Sequence, residues 1–402
     1  MIRSFATIRL VGRRSPGPTF LLLFALLVFP LLGGVAAVKT ISHAFVTSSS
    51  APGPGDVLVT PSGPSRVYVM SGDHINVIDA QTGQVVQHLP LRLATQSFFI
   101  AAHPATNRVF VTDAVLQGNK ALDYLTVYRT TDWSIERQVP VPDIIRYFGE
   151  YSGIAPSADG KYLYIYNYND RTRGTAPVRY WLSALDLSTG NWLPQQVDLP
   201  GCGASQLLVN GSAQVDVLCY DSNDVRTINT ATFASAQTRT VVIAQQQRSA
   251  GRLPKVATAT LHNGNLYVVS ENREVHVLSN AGADRILATT ASTDRVVPFQ
   301  PVVLDAVGTN LFVPSGSADE RSRGLASDIT VINVATGAVA RTLHPSRPYR
   351  WVTFSSDGTA AFLGLVGDDG KFATSLVRFD LQTGKETQLL QGPIGSGLVV
   401  SP

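Results

Sequence analysis

Two cysteines, Cys202 and Cys219, are the only ones in the chain. In an exported protein such a pair forms a disulfide. Leu207 to Val209 and Val215 to Cys219 read as adjacent antiparallel strands joined at Asn210-Gly211-Ser212-Ala213. If Asn210 faces Ala213, Cys219 faces Ala204, and Cys202 is its diagonal neighbour on the same sheet face. Closing that loop would stabilise the fold by about 3 kcal/mol on a chain-entropy account. The alternative is two buried free thiols. A second group carries charge. Arg146, Tyr147, Glu150 and Lys255, with Gln300, Tyr349, Arg350 and Trp351, fall in segments that lead into successive apolar strands. Arg146, Lys255 and Arg350 converging at one mouth would suit an anionic or polar ligand, or a partner's loop. The competing reading is that they pair with Asp56 and Glu150 and solvate that mouth.

The familiar catalytic motifs are absent from the sequence. There is no His-Glu-x-x-His, no Gly-x-Ser-x-Gly, no phosphate loop and no dinucleotide fingerprint. The sequence therefore offers no catalytic residue, no metal set and no cofactor. The seven histidines are scattered, and His74 and His276 read as half-buried strand residues. Asp368-Asp369-Gly370 and the loop from Asn167 to Asp170 lack the oxygen spacing of a calcium loop. Asn210-Gly211-Ser212 matches a glycosylation acceptor but is first a turn.

What must position these residues is a repeat. A short apolar run follows a turn seven times, at Arg66, Arg108, Lys161, Gln214, Asn265, Asn310 and Thr359. The starts step by 42, 53, 53, 51, 45 and 49 residues. Such a period with four short strands per unit specifies a propeller blade. The expected fold is all-β: a seven-bladed β-propeller of four-stranded antiparallel blades over residues 56–402. Inner strands are expected near Ser97, Tyr151, Ser205, Lys255, Pro301 and Trp351. Asp56 to Thr60 and Leu398 to Ser401 compete to close the ring. The turn Asp79-Ala80-Gln81-Thr82-Gly83 recurs at Asp186, Asn333 and Asp380. Its acid caps its own backbone and its Gly takes positive φ, so these acids are structural. That rim is short-looped. The opposite rim carries the longer segments Asp113–Ala121, Asn167–Pro177, Ser315–Ser327 and Val366–Lys371, where binding is expected.

The N-terminus differs in kind. Arginines 3, 9, 13 and 14 in residues 1–17 precede an uncharged stretch, residues 18–38, closed by Lys39. A bilayer needs roughly 20 such residues. The arginines hold that end in the cytoplasm and direct the chain beyond Lys39 across the membrane. The stretch reads either as a transmembrane anchor helix that keeps the propeller at the cell membrane or as a cleaved signal peptide that releases it. Residues 39–55 read as a linker. With charged residues at 15% and a net charge of +3, nucleic acid is not an expected partner.

The units Arg66-Val67-Tyr68-Val69 with Ile78-Asp79-Ala80-Gln81-Thr82-Gly83, and Leu311-Phe312-Val313 with Val331-Ile332-Asn333-Val334-Ala335-Thr336-Gly337, resemble the YVTN-type repeat. The resemblance implies a propeller of the group that includes the quinoprotein amine dehydrogenase heavy subunit and the lactonases. Tyr349-Arg350-Trp351 through Ser355-Ser356-Asp357-Gly358 is similar to the Pro-Arg-His…Ser-Pro-Asp-Gly stretch of the lactonase branch, with Trp351 where His is expected. The reading is a binding scaffold for an unidentified protein or small ligand on the long-loop rim. The alternative is an enzyme or enzyme subunit of that group.

Overall fold

The computed structural model describes residues 65–401, except 72, 92–98, 118–119, 142–152, 170–178, 244–254, 272, 280–283, 288–294, 298–299, 318–323, 356, 369, 371 and 395–397. The segments 1–17, 18–38 and 39–55 and the run 56–60 lie outside the described residues. Among the described residues no helix is long and apolar enough to cross a membrane.

Seven antiparallel sheets form, one for each repeat. Blade 2 comprises Ile100–His103, Arg108–Gln117, Lys120–Arg129 and Ile135–Pro140. Blade 3 comprises Ile154–Pro156, Tyr162–Asn169, Arg179–Asp186 and a two-residue outer strand, Val197–Asp198. Blade 4 comprises Ala204–Asn210, Gln214–Cys219, Asp224–Asn229 and Ala234–Thr240. Blade 5 comprises Val256–His262, Asn265–Ser270, Val275–Leu278 and Asp284–Leu287. In blade 6 the inner strand is split into Arg295–Val296 and Val303–Leu304, both paired with Asn310–Gly316, then Asp328–Asn333 and Val339–Leu343 follow. Blade 7 comprises Tyr349–Phe354, Ala360–Val366, Ala373–Asp380 and Glu386–Ile394.

Blade 1 closes the ring. Its outer three strands, Arg66–Ser71, His74–Asp79 and Val85–Pro90, come from the start of the domain. Its inner strand is Leu398–Ser401, from the chain end, paired Arg66↔Ser401 through Val69↔Leu398. That strand also touches the inner strands of blades 2 and 7. Mixing both termini in one sheet leaves no open blade edge at the closure.

One expectation about the rims is corrected. Asp113 to Ala121 is not an irregular loop. The ladder of blade 2 runs on from Arg108↔Arg129 to Gln117↔Lys120, so the segment is a two-stranded ribbon extending beyond the blade. Alternating backbone pairing satisfies its polar groups, which a loose loop of that length would leave to water.

The short turns behave as their residues dictate. Asp79 Oδ1 accepts the Gln81 and Thr82 amides at 3.1 and 2.9 Å, and Gly83 takes φ +74°. Asp186, Asn333 and Asp380 cap in the same way. In blades 2 and 4 the glycine position holds Trp133 at φ +59° and Phe233 at φ +47°. Left-handed backbone is costly for aromatic residues. Each ring is repaid by packing on the preceding blade: Trp133 edge-on to Tyr68 at 6.3 Å, Phe233 stacked on Tyr164 at 6.4 Å.

Pairing register reveals what the bare repeat hides. The residue of each second strand that faces the position two before the turn acid is Tyr68, Phe110, Tyr164, Asp216, Tyr267, Phe312 or Phe362. Six are buried aromatics that fill the seams between blades, and the seventh is a fully buried carboxylate.

Candidate binding site at the loop-rich rim

The disulfide forms between Cys202 and Cys219, with Cα atoms 4.8 Å apart. The route differs from the expected register. Asn210 pairs with Gln214, one residue beyond Ala213, and a bulge between Ala204 and Gln206 restores Cys219 opposite Ala204. Both cysteines are buried. The Tyr166 hydroxyl donates to the Cys202 carbonyl.

Immediately after Cys219 the chain turns across the rim through Tyr220 and Asp221. The Tyr220 amide donates to the Gly203 carbonyl at 2.8 Å. A Cβ at Gly203 would fall 2.0 Å from the Asp221 carboxylate, so a larger residue here would displace that side chain. The clasp and the glycine together fix Tyr220 and Asp221 at the edge of blade 5.

There they meet a polar group that the sequence did not single out, apart from Lys255. Lys255 Nζ pairs with Asp221 Oδ1 at 2.8 Å and lies 4.8 Å over the Tyr220 ring. The Tyr220 hydroxyl donates to Glu271 Oε1 at 2.5 Å. Close to Glu271 in sequence, blade 5 supplies two more charged residues, Arg273 and Glu274, and all three are buried. Three charged residues in four was the available signal. Asn223 Oδ1 accepts the Val256 amide at 2.9 Å, joining the two blades again at the same level.

The remaining expected rim residues separate into two groups. Arg146, Tyr147 and Glu150 lie outside the described residues. Tyr349 is fully buried between blades 6 and 7, and its hydroxyl donates to the Asp328 carbonyl at 2.8 Å. Burial pushes that hydroxyl well above the usual tyrosine range. Trp351 is nearly buried and packs in the core shared by blades 7 and 1, against Gly364. A bulge between Tyr349 and Trp351 leaves Arg350 out of the ladder. Gln300, from the interruption in the blade 6 inner strand, donates its amide to the Arg350 carbonyl at 2.7 Å. Gln206 acts similarly two seams away, between blades 4 and 5, accepting the Ala259 amide at 2.9 Å. Gln300 and Arg350 thus stitch inner strands together and are themselves buried.

Among the described residues no group of three or more His, Cys, Asp or Glu is gathered to hold a metal ion. Glu274 and Asp284 flank His276, at 3.4 and 3.3 Å from its two ring nitrogens. His276 is fully buried, on the face of blade 5 that packs against blade 4.

No protein-family model matches the chain, and no curated protein sequence matches it. Solved structures do. The chain is similar to dihydro-heme d1 dehydrogenase NirN in complex with DHE, at 13% identity and a TM-score of 0.52, over 88% of this chain and 79% of that one. It is also similar to Kuenenia stuttgartiensis hydrazine synthase, at 16% identity and a TM-score of 0.47, over 70% of this chain and 76% of that one. Identities this low carry fold and not function. Repeat and ring closure agree on one conclusion, with which the NirN likeness is consistent at the level of fold: the described residues form an all-β, seven-bladed propeller of four-stranded antiparallel blades.

Proposed function

We propose that this propeller is exported, tethered to the membrane or secreted, and binds a partner protein or a small polar or anionic ligand on its loop-rich rim. Its repeat is read as YVTN-type. One observation carries the proposal. Tyr220, Asp221, Lys255 and Glu271 are joined across two blades beside a disulfide, whereas the opposite rim repeats one self-capped turn. A charge-dense, non-repeating spot on a rigid frame is where recognition is placed. The export half rests on residues 18–38 and on the disulfide, which persists in oxidising compartments.

Two measurements test it. Alkaline extraction of membranes from the native host separates an anchored chain, which stays in the pellet, from a cleaved one. Recovery of the chain in the cytoplasmic fraction would sink the export reading. For binding, the full chain and a Lys255→Ala, Asp221→Ala double variant are used as bait against the native envelope. The proposal expects a captured species that the variant loses and that a Thr82→Ala variant, altered on the opposite rim, retains.

The second reading is an enzyme or enzyme subunit of the lactonase-like or amine dehydrogenase heavy-subunit-like group. Hydrolysis would call for two carboxylates and a histidine at the mouth. Glu274, His276 and Asp284 have that composition, but His276 is closed within the seam between blades 4 and 5. Turnover of a lactone panel by the full chain would reverse this preference for binding.

A further inference from the structure

Thirteen residues separate His74 from His88 in the sequence. The fold brings them together. His74 opens the third strand of blade 1, and His88 lies on the outer strand opposite Asn76. Their rings stand edge to face with centroids 5.0 Å apart. Asp73 Oδ1 lies 2.8 Å from His74 Nδ1. The Asp73 backbone is held in turn, because its carbonyl accepts the Leu91 amide at 2.7 Å.

We propose that His74 and His88 form a two-histidine site for a divalent first-row transition ion such as Cu2+ or Zn2+, with Asp73 as the carboxylate that orients His74. The spacing fits. With metal–nitrogen bonds of about 2.0–2.1 Å, two imidazoles on one ion in square to tetrahedral geometry have centroids about 4.5–5.2 Å apart. The carboxylate fits as well. An Asp holding Nδ1–H leaves the Nε2 lone pair free to ligate and makes it more basic, the arrangement found behind metal-bound histidines. Access is open: the His74 side chain is 33% exposed, Asp73 is 78% exposed, and His88 is exposed. Imidazole selects copper, zinc or nickel over calcium or magnesium. Two protein ligands leave the other positions to water, so the site takes ions reversibly. His344 makes the same carboxylate contact, with Asp328 at 2.6 Å, and serves as the comparison.

The test is titration of the full chain in detergent with CuCl2 and, separately, ZnCl2, read by calorimetry and by copper electron paramagnetic resonance. One equivalent is expected, with hyperfine structure from two nitrogens. His74→Gln and His88→Gln each abolish it, and His344→Gln does not. Asp73→Asn keeps both ligands and weakens binding about 10–100-fold. Unchanged binding in His88→Gln, or a one-nitrogen spectrum, overturns the proposal. Should a variant lose its near-ultraviolet dichroism, wild-type protection decides. The ion must shield His74 and His88 from diethylpyrocarbonate by mass spectrometry, and equal labelling with and without ion overturns the site.

Discussion

The seam between blades 3 and 4 and the seam between blades 4 and 5 share an apolar filling and differ in the chemistry of one buried position. In the first, Tyr164 of blade 3 meets Val215, Val217 and Phe233 of blade 4, and apolar packing holds the two sheets together. In the second, the position of Tyr164 is taken by Asp216. Its carboxylate accepts hydrogen bonds from Thr227 and Asn210 and lies 3.7 Å from Arg239. Arg239 reaches on to the Ser279 carbonyl of blade 5 at 3.3 Å. Gln206, Tyr220 and Lys255 add further polar bonds across the same gap or beside it. An apolar seam stabilises in proportion to area and tolerates sliding. A polar seam gains only about 1 kcal/mol per bond but accepts few arrangements. The side-chain amide of Asn210, in the Asn-Gly-Ser turn, is engaged with Asp216 at 3.1 Å.

The largest expected effect tests the apolar plan. Phe312→Ala, at the aromatic position of blade 6, empties a well-packed site and should cost about 3–5 kcal/mol by denaturant titration. A cost below 1 kcal/mol would break the idea that these rings hold the seams. Next is the clasp beside the polar seam. Replacing both Cys202 and Cys219 with Ser should cost about 3 kcal/mol. It should also raise amide exchange at Tyr220 and Asp221 more than at the equivalent rim of blade 5. Third is Asp216→Asn. Burial raises the Asp216 carboxyl above its ordinary range. A raised acid supports the fold fully below its unfolded value of 3.8 and loses that support as pH rises through the folded value. The non-titrating Asn should therefore gain on the wild type as pH climbs above that range, seen as a melting-temperature difference that widens with pH. A difference independent of pH would mean that Asp216 titrates as it does unfolded. Smallest is Lys255→Ala. Its pair with Asp221 is partly solvated, so stability should change by less than about 1 kcal/mol, while capture of a partner at the rim is lost.

Much of the frame was legible because it is local. The Asp-x-x-Thr-Gly turn writes its own hydrogen bonds, as Asp79 and Asp380 demonstrate. The cysteine pairing was legible too, though a bulge at Ser205 and a turn one residue longer reach it by compensating shifts. The site was less so. Lys255 was found from its place ahead of an inner strand. Glu271 and Tyr220 were not, since nothing near either residue in sequence announces their contact across 51 positions. Gln300, Tyr349, Arg350 and Trp351 sit in a segment that reads as rim, yet the bulge at Arg350 and the split strand of blade 6 turn them into packing and stitching residues.

The sequence by itself determined the number of blades and the turns that end their strands, and made the bond between Cys202 and Cys219 the expected one, because turn chemistry acts over a few residues and the period repeats it. Tertiary structure alone decided that Leu398–Ser401 closes the ring, that a carboxylate stands among six aromatics, and that His74 and His88 meet. Those outcomes depend on how one sheet packs on the next, and contacts between distant segments leave no periodic trace in the chain.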